Sequence, residues 1–182
     1  MRTINIENLP QYTIENYSLW EGSWELIDGI AYAMSPAPTN KHQILNGKIF
    51  RELDEALDEC PQCLAIIEAE WRINNNTVVI PDTCVICYEP DDYLNKAPTI
   101  IFEVISASSY QRDEKIKFEI YEQEGVAYYI LVYPDFLTAK VYQLDDGKYK
   151  KCGDYTTENY LFELGDCKID FNFNNLFKRF IK

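Results

Sequence analysis

Residues 78–106 read VVIPDTCVICYEPDDYLNKAPTIIFEVIS and contain two apolar runs, each of which carries one carboxylate. Asp82 follows Pro81 in the first run, and Glu103 lies within the second run. Runs that are apolar on both faces are typical of central strands that are covered on both sides. An ionised carboxylate in such a strand is costly unless it is paired, hydrogen-bonded or bound to a metal. Two of them on neighbouring strands therefore predict a cation-binding site.

Helix and strand signals occur on both sides of this stretch. Asp28-Gly29, between the apolar arms of residues 24–34, predicts an N-terminal β-hairpin. Apolar residues at helical spacing predict a helix over residues 41–59, and a second helix is predicted over residues 111–124. The remaining predicted strands include residues 64–73, 128–133 and 138–144. This order predicts an α/β fold with a mixed central sheet flanked by helices, in a single domain over residues 1–182.

Composition and charge narrow the class of protein. The chain has 182 residues, of which 47% are hydrophobic, so it has the composition of a globular protein. Seventeen basic residues against 30 acidic ones give a net charge of −13, which opposes long-range attraction to nucleic acid or anionic membranes. No signal peptide and no membrane-spanning run are visible. We therefore expect a soluble, cytoplasmic protein whose six cysteines are mostly reduced thiols.

A basic side chain is the further requirement of metal-dependent phosphodiester hydrolysis. Carboxylates hold Mg²⁺, and a lysine beside them polarises the attacking water or stabilises negative charge. Such a lysine is often found two residues after the acidic strand residue, where this chain has Ile105. Lys115 and Lys117 on the following predicted helix are the available substitutes. The alternative interpretation of Lys117 is an i,i+4 ion pair with Asp113 on a solvated helix face.

The cysteines offer a second candidate site. Cys60-x-x-Cys63 and Cys84-x-x-Cys87 have the spacing of a four-cysteine zinc site. Cys84 and Cys87, however, lie in a predicted strand, where residues three apart face opposite sides. Cys60 and Cys63 lie at a turn, where they would form half of a metal site or a redox pair. We expect ordinary thiols at these four positions, with zinc as the less favoured alternative.

Several short motifs occur in an order and at spacings that together match a known family. They are ELIDG (Glu25–Gly29), MSPAP (Met34–Pro38), His42-Gln43, Pro81-Asp82, FEVIS (Phe102–Ser106), Arg112-Asp113, Lys117, Tyr121 and Gly125-Val126. Over about residues 12 to 180 the chain resembles the Uma family of predicted restriction endonucleases, within the PD-(D/E)XK nuclease superfamily.

The resemblance implies a restriction-endonuclease-like fold and cleavage of DNA with Mg²⁺ or Mn²⁺. Asp82 matches the Asp of the PD motif, and Glu103 matches the acidic (D/E) position. The resemblance also implies that the main-chain carbonyl of Val104 is a further metal ligand. Lys117 matches a lysine that the family carries on the helix, as expected for a catalytic lysine that has moved off the strand.

Two more residues match recurrent family positions. Glu25 is expected as an acid that supports the site from outside the metal ligands, and His42 as either such a supporting residue or a packing residue near the helix cap. The chain departs from the family at Tyr133, where relatives tend to have Asp.

Two hypotheses follow. The first is a Mg²⁺-dependent endonuclease acting on DNA, without a membrane partner and as a homodimer, because nucleases that cut both strands often pair. The alternative is a catalytically inactive protein that keeps the nuclease fold as a binding or assembly module. The net charge and the absence of a lysine at position 105 favour the alternative.

Overall fold

A computed structural model of the chain describes residues 9–34, 38–107 and 109–181. Within them the helices are α1 (Ile14–Tyr17), α2 (Asn40–Ala56), α3 (Lys117–Gln123) and α4 (Phe173–Phe177), and a π-helical turn (Arg112–Ile116) leads into α3. The strands are β1 (Trp24–Ile27), β2 (Ile30–Ala33), β3 (Leu64–Ile67), β4 (Trp71–Asn74), β5 (Thr77–Val79), β6 (Thr83–Ile86), β7 (Ile100–Val104), β8 (Tyr128–Tyr133), β9 (Thr138–Asp145), β10 (Lys148–Tyr155), β11 (Asn159–Leu164) and β12 (Cys167–Asn172).

These strands form three sheets. The largest has the order β10-β9-β8-β7-β6-β3, and its β7–β8 pair is parallel. A four-stranded sheet has the order β2-β1-β5-β4, and β11 pairs with β12. The π-helical turn and α3 form the crossover that joins the parallel strands β7 and β8. The predicted α/β fold with a mixed sheet flanked by helices is confirmed, while the extent of the domain over residues 1–182 stays a prediction.

The N-terminal hairpin is confirmed. β1 and β2 pair antiparallel, with Ile27 opposite Ile30. Asp28 and Gly29 join them with φ angles of 49° and 77°. A two-residue hairpin turn of type I′ needs left-handed conformations at both positions, which Asp and Gly adopt more readily than most residues.

Two segments that were predicted as continuous strands are interrupted. The run that contains Asp82 divides into β5 and β6, which belong to different sheets. Pro81 lies at the break, and because proline has no amide hydrogen it does not continue a central ladder. Residues 64–73 divide likewise into β3 and β4, with Glu68 at φ 50° between them. Asp82 therefore lies where the chain crosses from one sheet to the other.

The large sheet packs on both faces, as predicted for its central strands. Every residue of β7 and of β8 is buried. One face packs against α2, α4 and the β11–β12 pair, with Phe102 and Phe171 in the core. The other face packs against α3, with Tyr121 and Tyr129 in contact.

The helices lie close to their predicted positions. α2 begins after Thr39, whose side chain caps it by accepting a hydrogen bond from the His42 amide at 3.2 Å, and ends at Ala56 rather than near residue 59. The second predicted helix consists of the π-helical turn and α3. Within the π-helical turn the Lys117 amide donates to the carbonyl of Arg112, five residues earlier.

The burial of this second helix contradicts the alternative interpretation of Lys117. Asp113 and Lys117, which that alternative placed on a solvated face, are buried, and so is Tyr121 one turn later. The apolar residues Ile116 and Ile120 of the same helix are only half-buried.

The prediction of reduced thiols was wrong for four of the six cysteines. Disulfides join Cys60 to Cys167 and Cys63 to Cys87, with Cα–Cα distances of 5.8 and 4.0 Å. Cys84 is free and buried, so the zinc alternative is wrong as well. The bonds close loops of 107 and 24 residues, and partners so far apart in the chain are not visible in local spacing.

Across residues 9–34, 38–107 and 109–181, no helix is long and apolar enough to cross a membrane.

Candidate active site

Asp82 and Glu103 lie side by side because each accepts a hydrogen bond from the main chain next to the other. The Val104 amide donates to Oδ2 of Asp82 at 2.7 Å. The Asp82 amide donates to Oε2 of Glu103 in a longer bond of 3.4 Å. The reciprocal bonds connect the end of β7 to the junction before β6. The Val104 carbonyl remains a predicted ligand, since the contact seen here is made by its amide.

Lys117 reaches the same place from the helix. Its Nζ lies 2.8 Å from Oε1 of Glu103 and 2.7 Å from Oε1 of Glu25, and its side chain is 2% exposed. The alternative ion pair with Asp113 exists at 3.7 Å, but it lies in the interior and not on a solvated face. Burial alone would lower the pKa of Lys117, but the surrounding carboxylates hold that pKa well above its ordinary value. The ammonium is therefore charged throughout the physiological range.

Glu25 joins two cations at the bottom of the site. It is fully buried on β1, and its Oε1 also accepts a hydrogen bond from the Ile80 amide at 2.9 Å. Its Oε2 lies 3.0 Å from Nε of Arg112, a close ion pair in which the N–H bond is not aligned with the oxygen. Glu25 thus holds Lys117 and Arg112 at the same time.

Three further residues of this cluster, Arg112, Asp113 and Tyr121, were not predicted from the sequence as part of the site. Asp113 is buried and lies 3.9 Å from Arg112, and the hydroxyl of Tyr121 donates to Oε1 of Glu103 at 3.1 Å. A signal for two of them was present, because Asp113, Lys117 and Tyr121 recur at intervals of four on one helix face.

His42 contacts the site from the first turn of α2. Its Nε2 lies 3.2 Å from Oδ2 of Asp82. Burial lowers the pKa of His42, but the hydrogen bond and charge of Asp82 outweigh that effect and raise it. One turn later, the amide of Asn46 donates to the Asp82 carbonyl at 3.1 Å, and Asn46 accepts a bond from Thr83. The α2 helix therefore fixes both the main chain and the side chain of Asp82.

Negative charge is in excess here. The ionisable groups at the centre of the site are four carboxylates and two cations: Glu25, Asp82, Glu103, Asp113, Arg112 and Lys117. Burial raises the pKa of Glu103 well above its ordinary value, Lys117 opposes this, and neighbouring Asp113 and Asp82 add to it. Burial likewise raises the pKa of Asp113. By formal charge the carboxylates of the site outnumber Arg112 and Lys117 by two, and the raised pKa values of Glu103 and Asp113 are the response of the site to this excess.

One oxygen of each central carboxylate remains available. Oε1 of Glu103 is occupied by Lys117 and Tyr121, whereas Oε2 accepts only the long bond from Asp82. Oδ2 of Asp82 is occupied by Val104 and His42, and Oδ1 has no partner within the described residues. Hard oxygens in this number suit Mg²⁺, which is commonly held by one or two carboxylates together with water and phosphate. In the same residues no group of three His, Cys, Asp or Glu side chains is arranged to hold a metal.

Comparison with known proteins adds the family context. The model of the Uma2 family, described as "Putative restriction endonuclease", matches residues 14–163. A crystal structure of a putative nuclease belonging to DUF820, from Anabaena variabilis, is similar with a TM-score of 0.75 and 16% sequence identity. The match covers 93% of this chain and 99% of that chain, and at this identity it concerns the fold. No curated protein matches the chain.

Proposed function

This chain belongs to the Uma2 family, and on that premise we propose that it is a metal-dependent endonuclease that hydrolyses phosphodiester bonds in DNA. The observation that carries the proposal is the pairing of Asp82 and Glu103, each with one oxygen left over, against the charged ammonium of Lys117. The residues fit a divalent cation, because the site offers two carboxylate oxygens with room for a ligand and its carboxylates outnumber Arg112 and Lys117.

In this proposal Asp82 and Glu103 would hold Mg²⁺, with the Val104 carbonyl as a further ligand. When bound, the ion supplies an activated water and neutralises the charge of the scissile phosphate. The metal ligands need support because a small displacement of a ligand is costly to catalysis. His42 provides it by fixing the carboxylate of Asp82, and Glu25 provides it by fixing Lys117.

Lys117 acts by charge and not by accepting a proton. Its raised pKa keeps it protonated, and two of its three hydrogens bind Glu25 and Glu103, while the third makes only a long contact of 3.5 Å with the Ile80 carbonyl. A protonated amine next to a metal-binding carboxylate stabilises the negative charge that develops on the phosphate and donates to the attacking water. Lys117, on the helix, thus provides the positive charge that a lysine at position 105 of the strand would otherwise provide.

Arg112 is suited to the phosphate itself. Its Nε side faces Glu25, its side chain is 15% exposed, and its two terminal nitrogens have no partner within the described chain. A guanidinium presents these nitrogens as a planar fork that matches two phosphate oxygens. Arg112 thus supplies a positive contact for the substrate that the overall charge of −13 does not.

Metal binding is the test. Isothermal titration with Mg²⁺ and Mn²⁺ compares the wild type with the double variant Asp82→Asn, Glu103→Gln, which keeps the size of both side chains. We expect binding to the wild type and none to the double variant, and cleavage of supercoiled, linear or single-stranded DNA to depend on the same residues.

Glu70→Gln is the matched control. Glu70 also pairs with a cation, Arg72, at 2.6 Å, but it lies outside the site. If the wild type neither binds metal nor cleaves any of these substrates, the proposal is wrong and the alternative, a binding or assembly module on the nuclease fold, takes its place. Dimerisation stays a prediction that light scattering of the purified protein decides.

A further inference from the structure

A cavity of about 850 Å³ opens beside the proposed catalytic residues. Its wall begins at Ile105, two residues after Glu103, and continues along the π-helical turn with Glu114, which follows Asp113. On the sheet side it includes Lys140. Strand pairing aligns Glu103 with Leu131 and Leu131 with Lys140, so the three lie in one row across β7, β8 and β9. Two strand spacings separate the ends of this row, about 10 Å.

Aromatic rings form much of the wall. Tyr110, Tyr133 and Phe136 line the cavity. Tyr110 is 47% exposed and Phe136 is 79% exposed, so a large part of each ring lacks a packing partner. Exposed aromatic rings can stack on the bases of a single strand, because every base has a π-face.

The charges around the cavity are already paired. Lys140 lies 3.7 Å from Glu114, which also accepts a hydrogen bond from the Tyr133 hydroxyl. Asp135 pairs with Lys41 at 3.4 Å, and the last acidic group of the wall, Asp154, pairs with Lys151 at 2.7 Å. A cation would find no unbalanced carboxylate here and a phosphate no unbalanced lysine. A planar, uncharged group is the best match.

We propose that this cavity binds an unpaired nucleobase of the substrate strand, next to the phosphate that is cleaved. The inference rests on the proposed nuclease function for the presence of the strand. Arg112 lies between the two sites in the chain, since Tyr110 and Gln111 line the cavity while Arg112 and Asp113 belong to the charged cluster. The same helical turn therefore carries Tyr110 to the cavity and Arg112 to the charged cluster, the two groups that the base and the phosphate of one nucleotide would contact.

The test separates base from backbone. Fluorescence anisotropy in Ca²⁺ measures the affinity for a labelled single-stranded oligothymidylate and for an abasic chain of the same length. The double variant Tyr110→Ala, Phe136→Ala should bind the oligothymidylate about tenfold more weakly than the wild type does, and it should bind the abasic chain equally well. The single variant Phe136→Trp should bind the oligothymidylate as tightly as the wild type does, because stacking needs a ring and not phenylalanine in particular.

Leu19→Ala is the control, because Leu19 is 82% exposed and does not line the cavity. It should leave both affinities unchanged. An equal loss on both chains, no loss on either, or no binding of the oligothymidylate by the wild type overturns the nucleobase site. The result is independent of metal titration and cleavage, so base-dependent binding without cleavage would support the cavity while contradicting the nuclease.

Discussion

The Nζ of Lys117 lies 2.8 Å from Oε1 of Glu103, although one residue belongs to a helix and the other to a strand. Both side chains are at most 3% exposed. A cation and a carboxylate at this depth are retained only with good geometry, because the desolvation of each costs several kcal/mol. The pair therefore couples the stability of the crossover to the proposed chemistry.

Replacement of Lys117 tests that coupling. Lys117→Met leaves Glu25 and Glu103 buried without their shared cation, so we expect the free energy of unfolding to fall by about 3 to 5 kcal/mol and cleavage to fall by about 10² to 10³. Adding Glu25→Gln removes part of the excess charge and should recover stability but not cleavage. Urea unfolding and a plasmid nicking assay measure the two effects. Recovery of both in the double variant would contradict a catalytic role for Lys117.

Arg112 should affect the substrate and not the metal. Arg112→Lys keeps the charge but loses the planar fork, so we expect kcat/KM for DNA cleavage to fall by about tenfold to a hundredfold, with the affinity for Mg²⁺ nearly unchanged. Arg51→Lys is the control, since Arg51 is 56% exposed and pairs with Glu55 on α2. A loss of metal affinity as large as the loss of kcat/KM would mean that Arg112 only maintains the site.

The raised pKa of Glu103 predicts how stability depends on pH. Without metal, the carboxyl group of Glu103 binds its proton more tightly in the folded protein than in the unfolded chain. Protonation of Glu103 therefore stabilises the folded state. This stabilisation is complete below the pKa of Glu103 in the unfolded chain and is lost as the pH rises through its pKa in the folded protein. Glu103→Gln removes the buried charge. We therefore expect this variant, in EDTA, to show a weaker decline of stability with pH and to be more stable than the wild type at neutral pH.

Thermal unfolding across the acidic to neutral range provides the measurement for Glu103→Gln. Added Mg²⁺ should raise the Tm of the wild type and leave that of the variant unchanged, because only the wild type binds the ion. A variant that is less stable than the wild type at every pH would show that the Glu103–Lys117 pair stabilises the protein more than the excess charge destabilises it.

The disulfides are tested by counting thiols. The denatured, unreduced protein should react at two cysteines, Cys84 and Cys152, and the reduced protein at six. In the native state only the exposed Cys152 should react. Each disulfide closes a long loop, so reduction should lower the free energy of unfolding by on the order of 3 to 5 kcal/mol per bond. Six reactive thiols without reductant would contradict both disulfides and restore the expectation that the cysteines are mostly reduced thiols.

How far the sequence predicted the site depends on which contacts are local. Asp82 and Glu103 were predicted because a carboxylate in an apolar run contradicts the pattern around it. The helix face of Lys117 was identified, but its environment was not, because the side chains that bury it come from β1 and β7. The break at Pro81 was missed because apolar residues on both of its sides read as one strand. Long-range partners such as those of Cys60 and Cys63 leave no local signal at all.

The π-helical turn has a consequence for recognising relatives of this protein. Glu25 is contacted by Arg112 and by Lys117, which are five positions apart. A regular α-helix would point such residues about 140° away from each other, whereas residues four apart diverge by only about 40°. The turn therefore behaves as a one-residue insertion that leaves both contacts in place. Deleting the exposed Lys115 should give an ordinary helix with the same two contacts, so a search pattern for this site should accept either three or four residues between the arginine and the lysine.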